Sequence, residues 1–277
     1  MQDNTPLDIR LIAADIDGTL LPRGGAVSER TRRAIAACWA RGIPFIIATG
    51  RWIAAIHEVQ QLVGLVGKPC IISNGGAVLD GDGSILHEWF IPEADARRVC
   101  ELLLRHPVMV NSYVRNGQYR VNTAAMAGRM NWHMGEDDPR LIVDDEAAFF
   151  ARGMQNVYQL EAYSEDPALL GALKAQIEAM GMSVSSASER NIEIMSRGHG
   201  KGTALRWLAE HWGVPIENTM AFGDYYNDMD MLRAAGWPVA MGNAADALKA
   251  VARIIAPADA DDGVARVVCA RVLEETL

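Results

Sequence analysis

Cysteine, basic charge and long apolar runs are all scarce in this chain of 277 residues. The four cysteines are widely spaced and form no Cys-x-x-Cys pair, which favours reduced core thiols over disulfides or a zinc site. Lys and Arg total 26 against 35 Asp and Glu, and the net charge of −9 argues against nucleic acid or an anionic membrane as a partner. No apolar stretch approaches the roughly 18 residues of a membrane span, and no basic segment precedes an apolar one near Met1. We therefore expect a cytoplasmic protein, and its oligomeric state stays open.

The chain does contain an apolar run that ends abruptly in acidic residues. Leu11–Ala14 has the length and composition of a buried parallel strand, and Asp15-Ile16-Asp17-Gly18-Thr19 follows it directly. An isolated Asp-x-Asp is also common at turns and helix starts, where a carboxylate accepts backbone N–H groups. At the carboxyl end of a strand, both carboxylates can turn toward one cavity, where they repel each other unless a cation lies between them. Mg²⁺, which prefers oxygen ligands, is the natural cation for such a pair.

Alternating strand and helix patterns flank a segment of different character. Residues 1–83 and 196–277 carry short apolar strands separated by amphipathic helices, which predicts an α/β domain with one parallel sheet. Between them, residues 84–195 have amphipathic strands and hairpin-like turns, with a type I′ turn predicted at Asn116-Gly117. We interpret this segment as an α+β domain inserted into the first one, with glycine-rich connections as candidate hinges.

Polar groups follow several predicted strands of the same sheet. Asp15, Asp17 and Asp224 are distant in sequence, yet they can converge at one edge and, with waters, satisfy an octahedral Mg²⁺. Groups that can hold the oxygens of an anion are expected at the same edge: the Thr49 hydroxyl, the Gly50 N–H and the Lys201 ammonium. Lys201 is the first residue of a predicted helix and has a glycine on each side, Gly200 and Gly202, so we expect its ammonium to be a mobile charge. These are the parts that phosphoryl transfer needs.

Four short stretches resemble, in order, the four motifs of the haloacid dehalogenase-like (HAD) phosphatase superfamily. They are Asp15-Ile16-Asp17-Gly18-Thr19, Thr49-Gly50-Arg51, Lys201-Gly202 and Gly223-Asp224-Tyr225-Tyr226-Asn227-Asp228. The resemblance covers the whole predicted α/β domain. It implies a Rossmann-like parallel-sheet core with an inserted α+β cap domain that determines substrate specificity.

Three further stretches look like the Cof-type subfamily of these phosphatases. They are Ser73-Asn74-Gly75-Gly76, Gly242-Asn243-Ala244 and Asp262-Gly263-Val264-Ala265. The chain departs from the family at Tyr225, because the family commonly has asparagine after the Gly-Asp pair of the fourth motif. Any contact that this asparagine makes in the family therefore does not carry over.

By this resemblance, the two carboxylates of the first motif have separate roles. Asp15 is implied as the nucleophile that attacks phosphorus and becomes an aspartyl-phosphate, which splits one difficult displacement into two. Asp17 is implied as the acid that protonates the leaving alcohol and as the base that then activates water. The implied ligands of the phosphoryl oxygens are Thr49 and Lys201, with Gly50 at the same edge. The implied ligands of Mg²⁺ are the Asp15 carboxylate, the Asp224 carboxylate and the backbone carbonyl of Asp17. Asn227 and Asp228 are implied to support the phosphate and the metal.

Some residues have a less defined place in this scheme. Arg51 and Asn74 follow strand ends at the same edge, and we expect them to contact either the substrate or the cap. Four apolar residues of the inserted segment are better explained by core packing or by an apolar cap surface than by a substrate pocket. They are Met126, Met130, Trp132 and Met134.

The sequence thus predicts a Mg²⁺-dependent phosphatase for small phosphate monoesters, such as sugar phosphates or cofactor- and nucleotide-type phosphates. A phosphomutase or a phosphonate hydrolase on the same core is the enzymatic alternative. The non-enzymatic alternative is a module that only accepts a phosphoryl group on an aspartate. Asp17 argues against such a module, because its acid/base function turns a stable phospho-acceptor into a catalyst that turns over.

Overall fold

The computed structural model describes residues 7–22, 24–122, 141–143 and 145–275. The chain divides into two compact units. The core unit comprises Met1–His87 and Gly200–Leu277, and the inserted unit comprises Glu88–His199. The four apolar residues of the inserted segment for which packing was predicted lie outside the described residues. They are Met126, Met130, Trp132 and Met134.

Short strands and helices alternate along the described part of the chain. The strands are β1 (Leu11–Ala14), β2 (Phe45–Ala48), β3 (Cys70–Ile72), β4 (Ala77–Leu79), β5 (Ile85–Glu88), β6 (Met109–Val114), β7 (Gly117–Asn122), β8 (Leu141–Val143), β9 (Val157–Tyr163), β10 (Ser183–Ser185), β11 (Asn191–Met195), β12 (Thr219–Gly223), β13 (Trp237–Ala240) and β14 (Ile254–Ile255). The helices are α1 (Glu29–Ala40), α2 (Ile56–Val63), α3 (Glu93–Leu103), α4 (Glu146–Arg152), α5 (Pro167–Ala179), α6 (Lys201–His211), α7 (Met229–Ala234), α8 (Asp246–Lys249) and α9 (Gly263–Val268).

The core unit is built on an eight-stranded sheet in the order β14-β13-β12-β1-β2-β3-β4-β5. The strands from β14 to β3 pair in parallel, and β4 returns antiparallel to β3. Every residue of β1, β2 and β12 is buried, as expected for parallel strands that are covered on both faces. The predicted Rossmann-like parallel-sheet core is confirmed.

Strand β1 lies where the strand order reverses. The chain adds β2 and β3 on one side of it and β12 to β14 on the other. Ligands of open α/β sheets bind at such a reversal, beyond the carboxyl ends of the strands. Ala14, the last residue of β1, is in register with Ile47 of β2 and Phe222 of β12. The residues that follow these three strands therefore lie next to one another at the same edge of the sheet.

Helix α1 begins and ends at the capping residues that the sequence offers. Ser28 accepts the Thr31 N–H at 3.0 Å before the first turn. Gly42, with φ of +73°, follows the last turn, and glycine adopts this left-handed conformation without strain. Among the described residues, no helix has the length and apolar character that crossing a membrane requires.

The inserted unit has a six-stranded sheet in the order β10-β11-β9-β6-β7-β8, which is antiparallel except for the β7–β8 pair. Helices α3 and α5 pack on the sheet through a buried apolar cluster. Val99 and Leu173 contribute to this cluster from the helices, and Leu160 and Ile192 from the strands. The inserted α+β domain that the sequence predicted is confirmed as a fold class.

The hairpin of β6 and β7 forms as predicted, but its turn differs. Gly117 already pairs with Val114 in the strand ladder, which leaves Arg115 and Asn116 as the connection. Neither of these two residues has a positive φ, whereas a type I′ turn requires positive φ at both central positions. The predicted turn type was therefore wrong, because Gly117 belongs to the strand and not to the turn.

The four cysteines, Cys38, Cys70, Cys100 and Cys269, are buried free thiols. Burial raises the pKa of Cys38 and that of Cys70 to about 12. These thiols stay protonated near neutral pH and are poor nucleophiles there, because the thiolate is the reactive form.

Candidate active site

Three carboxylates meet beyond the carboxyl ends of β1 and β12. Asp15 follows β1 directly, Asp224 follows β12, and Asp228 ends the 3₁₀ turn Tyr226–Asp228 just after it. One oxygen from each carboxylate lies within 4.8 Å of the other two, and all three residues are buried. We call these three residues the acidic cluster. The sheet thus brings Asp15 close to Asp224 and Asp228, which lie about 210 positions later in the sequence.

The Lys201 ammonium is a positive charge within the acidic cluster. Its Nζ lies 2.5 Å from Asp15 Oδ1 and 2.7 Å from Asp228 Oδ1, and the side chain is fully buried. The expectation of a mobile charge at Lys201 was therefore wrong, because two ion pairs and complete burial hold it. Burial by itself would lower the pKa of Lys201, but Asp15 and Asp228 raise it above its ordinary value. The ammonium is accordingly charged at neutral pH.

The surroundings of Asp15 disfavour a negative charge on its carboxylate. Burial raises its pKa well above the ordinary value, and the Asp228 carboxylate raises it further, while Lys201 opposes both effects. With all three carboxylates ionised, one ammonium leaves two negative charges in the acidic cluster without compensation. A divalent cation is a group that would balance them.

Asp228 also organises the loop that carries Asp224. Its Oδ2 accepts the backbone N–H groups of Asp224 and Tyr225 at 3.0 and 3.3 Å. Gly223 leaves room for it, because an added Cβ there would overlap the Asp228 side chain. Tyr225 makes its contact through the backbone, and its ring lies edge-to-face against that of Tyr226, with the centroids 5.1 Å apart. The departure from the family motif at Tyr225 is thus compatible with these loop hydrogen bonds.

Thr19 and Gly18 define the position of the Asp224 carboxylate. Thr19 Oγ1 donates to Asp224 Oδ1 at 3.0 Å in a buried contact. Gly18 has φ of +88°, and an added Cβ would overlap the same carboxylate. Asn243 Nδ2, 225 positions later in the sequence, donates to the Gly18 carbonyl at 2.8 Å. All three residues lie within motifs of the sequence, but the sequence alone indicates no role for them, because spacing along the chain does not say which atoms meet.

The Asp17 carboxylate stands apart from the acidic cluster. Its side chain is 57% exposed and pairs with Arg51, with 2.7 Å between Nη2 and Oδ1 and 3.0 Å between Nε and Oδ2. The Arg51 backbone N–H donates to Thr49 Oγ1 at 3.0 Å, and Thr49 is buried while Gly50 is partly buried. The Asp17 side chain is not among the described carboxylates that lie close enough to share a metal with Asp15. A role of Asp17 in metal binding therefore depends on its backbone carbonyl.

A buried turn after β3 joins two of the surrounding loops. Ser73 and Asn74 both have positive φ, at 49° and 51°. Their backbone N–H groups donate to the carbonyls of Arg51 and Thr49 at 3.0 and 2.9 Å, and Asn74 Oδ1 accepts from Asn227 Nδ2 at 3.5 Å. Non-glycine residues in this conformation cost about 1–3 kcal/mol each, so the surroundings hold the turn in place. Asn74 thus contacts two other residues of the candidate site, Thr49 through its backbone and Asn227 through its side chain.

The parallel sheet and the acidic cluster at its reversal point define an α/β protein with a group of carboxylates that fits a divalent cation. A family model for haloacid dehalogenase-like hydrolases matches residues 12–268, and the chain belongs to this family. The resemblance that the four motifs indicated is thereby confirmed.

Individual relatives match over nearly the whole chain. Pyridoxal phosphate phosphatase YbhA of Escherichia coli is 30% identical, with 95% of this chain and 99% of the relative covered. The 5-amino-6-(5-phospho-D-ribitylamino)uracil phosphatase YcsE of Bacillus subtilis is 29% identical, with 95% of each chain covered. A solved structure of a haloacid dehalogenase-like hydrolase from B. subtilis has a TM-score of 0.83 at 26% identity and covers 94% of this chain and 99% of its own. The protein is a HAD-like phosphatase, and its acidic cluster fits a divalent metal.

Proposed function

We propose that this phosphatase uses Mg²⁺ and hydrolyses small phosphate monoesters through an aspartyl-phosphate on Asp15. The observation that carries the proposal is the buried pairing of Asp15 with Lys201 at the sheet edge, next to two further carboxylates. Sugar phosphates and cofactor- or nucleotide-type phosphates are the proposed substrates. The names of YbhA and YcsE, which each specify a phosphate monoester, support this substrate class.

The chemistry of the acidic cluster fits a hard divalent cation. It offers carboxylate oxygens, which are the ligands that Mg²⁺ prefers, and it carries more negative charge than Lys201 offsets. We assign Asp15, Asp224 and the backbone carbonyl of Asp17 as ligands, with Asp228 in support. When bound, the cation would neutralise charge on phosphoryl oxygens and favour the ionised form of Asp15.

Asp15 is the proposed nucleophile, and its neighbours hold the group that it attacks. Lys201 contacts one Asp15 oxygen and, from the same position, offsets the charge of an incoming phosphoryl group. The Thr49 hydroxyl, the Gly50 N–H and the Asn227 amide are donors for the remaining phosphoryl oxygens. Attack by a fixed, desolvated carboxylate on a fixed phosphorus requires little reorganisation in the transition state.

Asp17 is the proposed acid and base. Its exposed carboxylate is separate from the acidic cluster, so it can exchange protons with water and with a leaving oxygen. Arg51 orients this carboxylate through a two-point contact. Asp17→Asn should slow turnover and let labelled aspartyl-phosphate accumulate while Mg²⁺ affinity is retained. Unaltered turnover in this variant would contradict the assigned role.

Specificity, partners and location complete the proposed function. We assign selection of the leaving group to the inserted domain predicted at residues 84–195. A small-molecule partner, rather than nucleic acid, and a cytoplasmic location stay predictions. Asn74 and Arg51 remain proposed substrate contacts in addition to their contacts within the protein.

Phosphate release from a panel of monoesters tests the proposed function. The panel contains pyridoxal phosphate, 5-amino-6-(5-phospho-D-ribitylamino)uracil and several sugar phosphates, assayed with Mg²⁺ and after removal of metal by a chelator. We expect Mg²⁺-dependent release by the wild type and a loss of about a thousandfold or more in Asp15→Asn, since a nucleophile is removed. Asp246→Asn, at an exposed carboxylate at the start of α8, is the matched control and should keep full activity.

Two outcomes of this assay would replace the proposal. If the wild type takes up a phosphoryl group from a small donor but releases no phosphate, the protein is a phospho-acceptor and not a phosphatase. If it converts a hexose phosphate into its isomer with little phosphate released, the protein is a phosphomutase.

A further inference from the structure

We propose that Asp230 is a positioning residue, which places the Lys201 ammonium by capping the start of helix α6. The inference rests on the proposed function, because that function assigns Lys201 to the phosphoryl group. Asp230 lies beyond the fourth motif, which ends at Asp228, and none of the roles assigned above includes it.

Helix α6 begins without a cap of its own. Gly200 occupies the N-cap position, where it has no side chain to accept the free N–H groups of the first turn. The first helical residue is Lys201, and the helix dipole opposes a positive charge at this end. The start of α6 therefore lacks both an acceptor and a negative charge from its own segment.

Asp230 provides both from helix α7. Its Oδ2 accepts the backbone N–H of Gly202 at 2.8 Å, although the two residues are 28 positions apart. An added Cβ at Gly200 would overlap Asp230 Oδ2, and an added Cβ at Gly202 would overlap the Asp230 carbonyl oxygen. The glycines on either side of Lys201 thus make the room that Asp230 occupies.

This contact fixes the backbone from which the lysine reaches the site. Lys201 Nζ makes its ion pairs at 2.5 and 2.7 Å at the end of a long side chain, so any shift of the helix start moves the ammonium. Misplacement by about 1 Å can cost about a hundredfold in rate. Asp230 accepts the backbone N–H of Gly202, the residue after Lys201, so we expect its effect on the reaction to pass through the position of Lys201.

Three variants separate this role from a general effect on folding. Asp230→Ala removes the acceptor, and we expect kcat to fall about tenfold or more with KM changed less than about threefold. Asp230→Asn keeps an oxygen that can accept the Gly202 N–H and should restore kcat to within about threefold of the wild type. Gly200→Ala displaces the carboxylate by steric overlap at a residue with extended backbone, so it should reproduce the Asp230→Ala defect.

Double variants test whether Asp230 acts through Lys201. In a Lys201→Ala background, Asp230→Ala should lower kcat by less than about twofold, because no ammonium is left to position. In an Asp230→Ala background, Gly200→Ala should add no further loss, because no carboxylate is left to displace. Full additivity in either cycle, or an Asp230→Asn variant as slow as Asp230→Ala, would overturn the proposal.

Amide hydrogen exchange gives a readout that does not depend on activity. The Gly202 amide should exchange about tenfold faster in Asp230→Ala than in the wild type, since its hydrogen bond to Oδ2 is lost. Ser28→Ala, which removes the cap of α1 in the same unit, is the control and should accelerate exchange only at α1 while kcat is unchanged. If the wild type shows no phosphatase activity, the proposed function fails, and the Gly202 exchange rate still decides whether Asp230 holds the start of α6.

Discussion

Gly18→Ala tests whether the space at Gly18 determines the position of the Asp224 carboxylate. At φ of +88° an alanine costs about 1–2 kcal/mol relative to glycine. Its Cβ would also overlap the Asp224 carboxylate, which would have to leave its 3.0 Å hydrogen bond with Thr19. A hydrogen bond to a charged group is worth about 1.5–3 kcal/mol. We therefore expect the free energy of unfolding to fall by about 2.5–5 kcal/mol.

Gly42→Ala isolates the backbone part of this effect. Gly42 has φ of +73°, but no atom lies within 4 Å of an added Cβ. Its expected loss is only the backbone cost of about 1–2 kcal/mol. Urea denaturation of both variants in the presence of a chelator measures the difference, which reports the displacement of Asp224.

Metal binding provides the second half of the same test. Displacing Asp224 should weaken Mg²⁺ binding by about tenfold to a hundredfold in Gly18→Ala, as measured by calorimetric titration. Gly42→Ala should bind Mg²⁺ like the wild type. If the two variants lose equal stability, or if Gly18→Ala binds Mg²⁺ normally, the overlap with Asp224 does not control the site and the reasoning is refuted.

Three other properties follow from the contacts around the site and the core. Lys201→Met leaves buried carboxylates unpaired and should lower the free energy of unfolding, measured in urea without metal, by about 3–5 kcal/mol. Lys174→Met, which removes a 4.0 Å ion pair with Glu178 on helix α5, should lower it by less than about 0.5 kcal/mol. Equal losses in the two variants would contradict the argument. Arg51→Lys keeps the charge but not the two-point contact with Asp17, so kcat should fall at unchanged Mg²⁺ affinity, whereas full activity would show that charge alone suffices. The four buried thiols should resist a thiol reagent at pH 8 in the native protein and react in urea, because burial raises their pKa; rapid labelling of the native protein would contradict this.

The sequence was sufficient to place the acidic residues at one edge of the sheet, for a physical reason. Leu11–Ala14 and Met220–Phe222 are continuous apolar runs, which is typical of strands covered on both faces of a parallel sheet. Parallel pairing aligns the ends of such strands, so the polar residues after them converge whatever their separation along the chain. This inference needs the order and length of the elements but no knowledge of individual contacts.

The partners of the individual side chains could not be derived in this way. The residue types predict that Asp15 and Asp17 form one pair around a cation, because they are two positions apart at a strand end. In the structure β1 ends at Ala14, and the chain turns at Gly18 with positive φ. Asp15 consequently pairs with Lys201, whereas the Asp17 side chain pairs with Arg51. The direction of a side chain in such a turn depends on backbone angles that the residue types alone do not determine.

The glycines around Lys201 show how the same sequence feature supports opposite conclusions. In the sequence, Gly200 and Gly202 beside Lys201 favour a mobile charge, since glycine permits many backbone conformations. In the structure both glycines mark close approach, because a Cβ at either position would overlap an oxygen of Asp230. A residue that must hold a charge within hydrogen-bonding distance of a reacting group gains from a tightly packed backbone and loses from a flexible one. Small residues beside a functional lysine are therefore better interpreted as room for a neighbouring group, and the Gly200→Ala and Asp230→Ala variants distinguish these two interpretations.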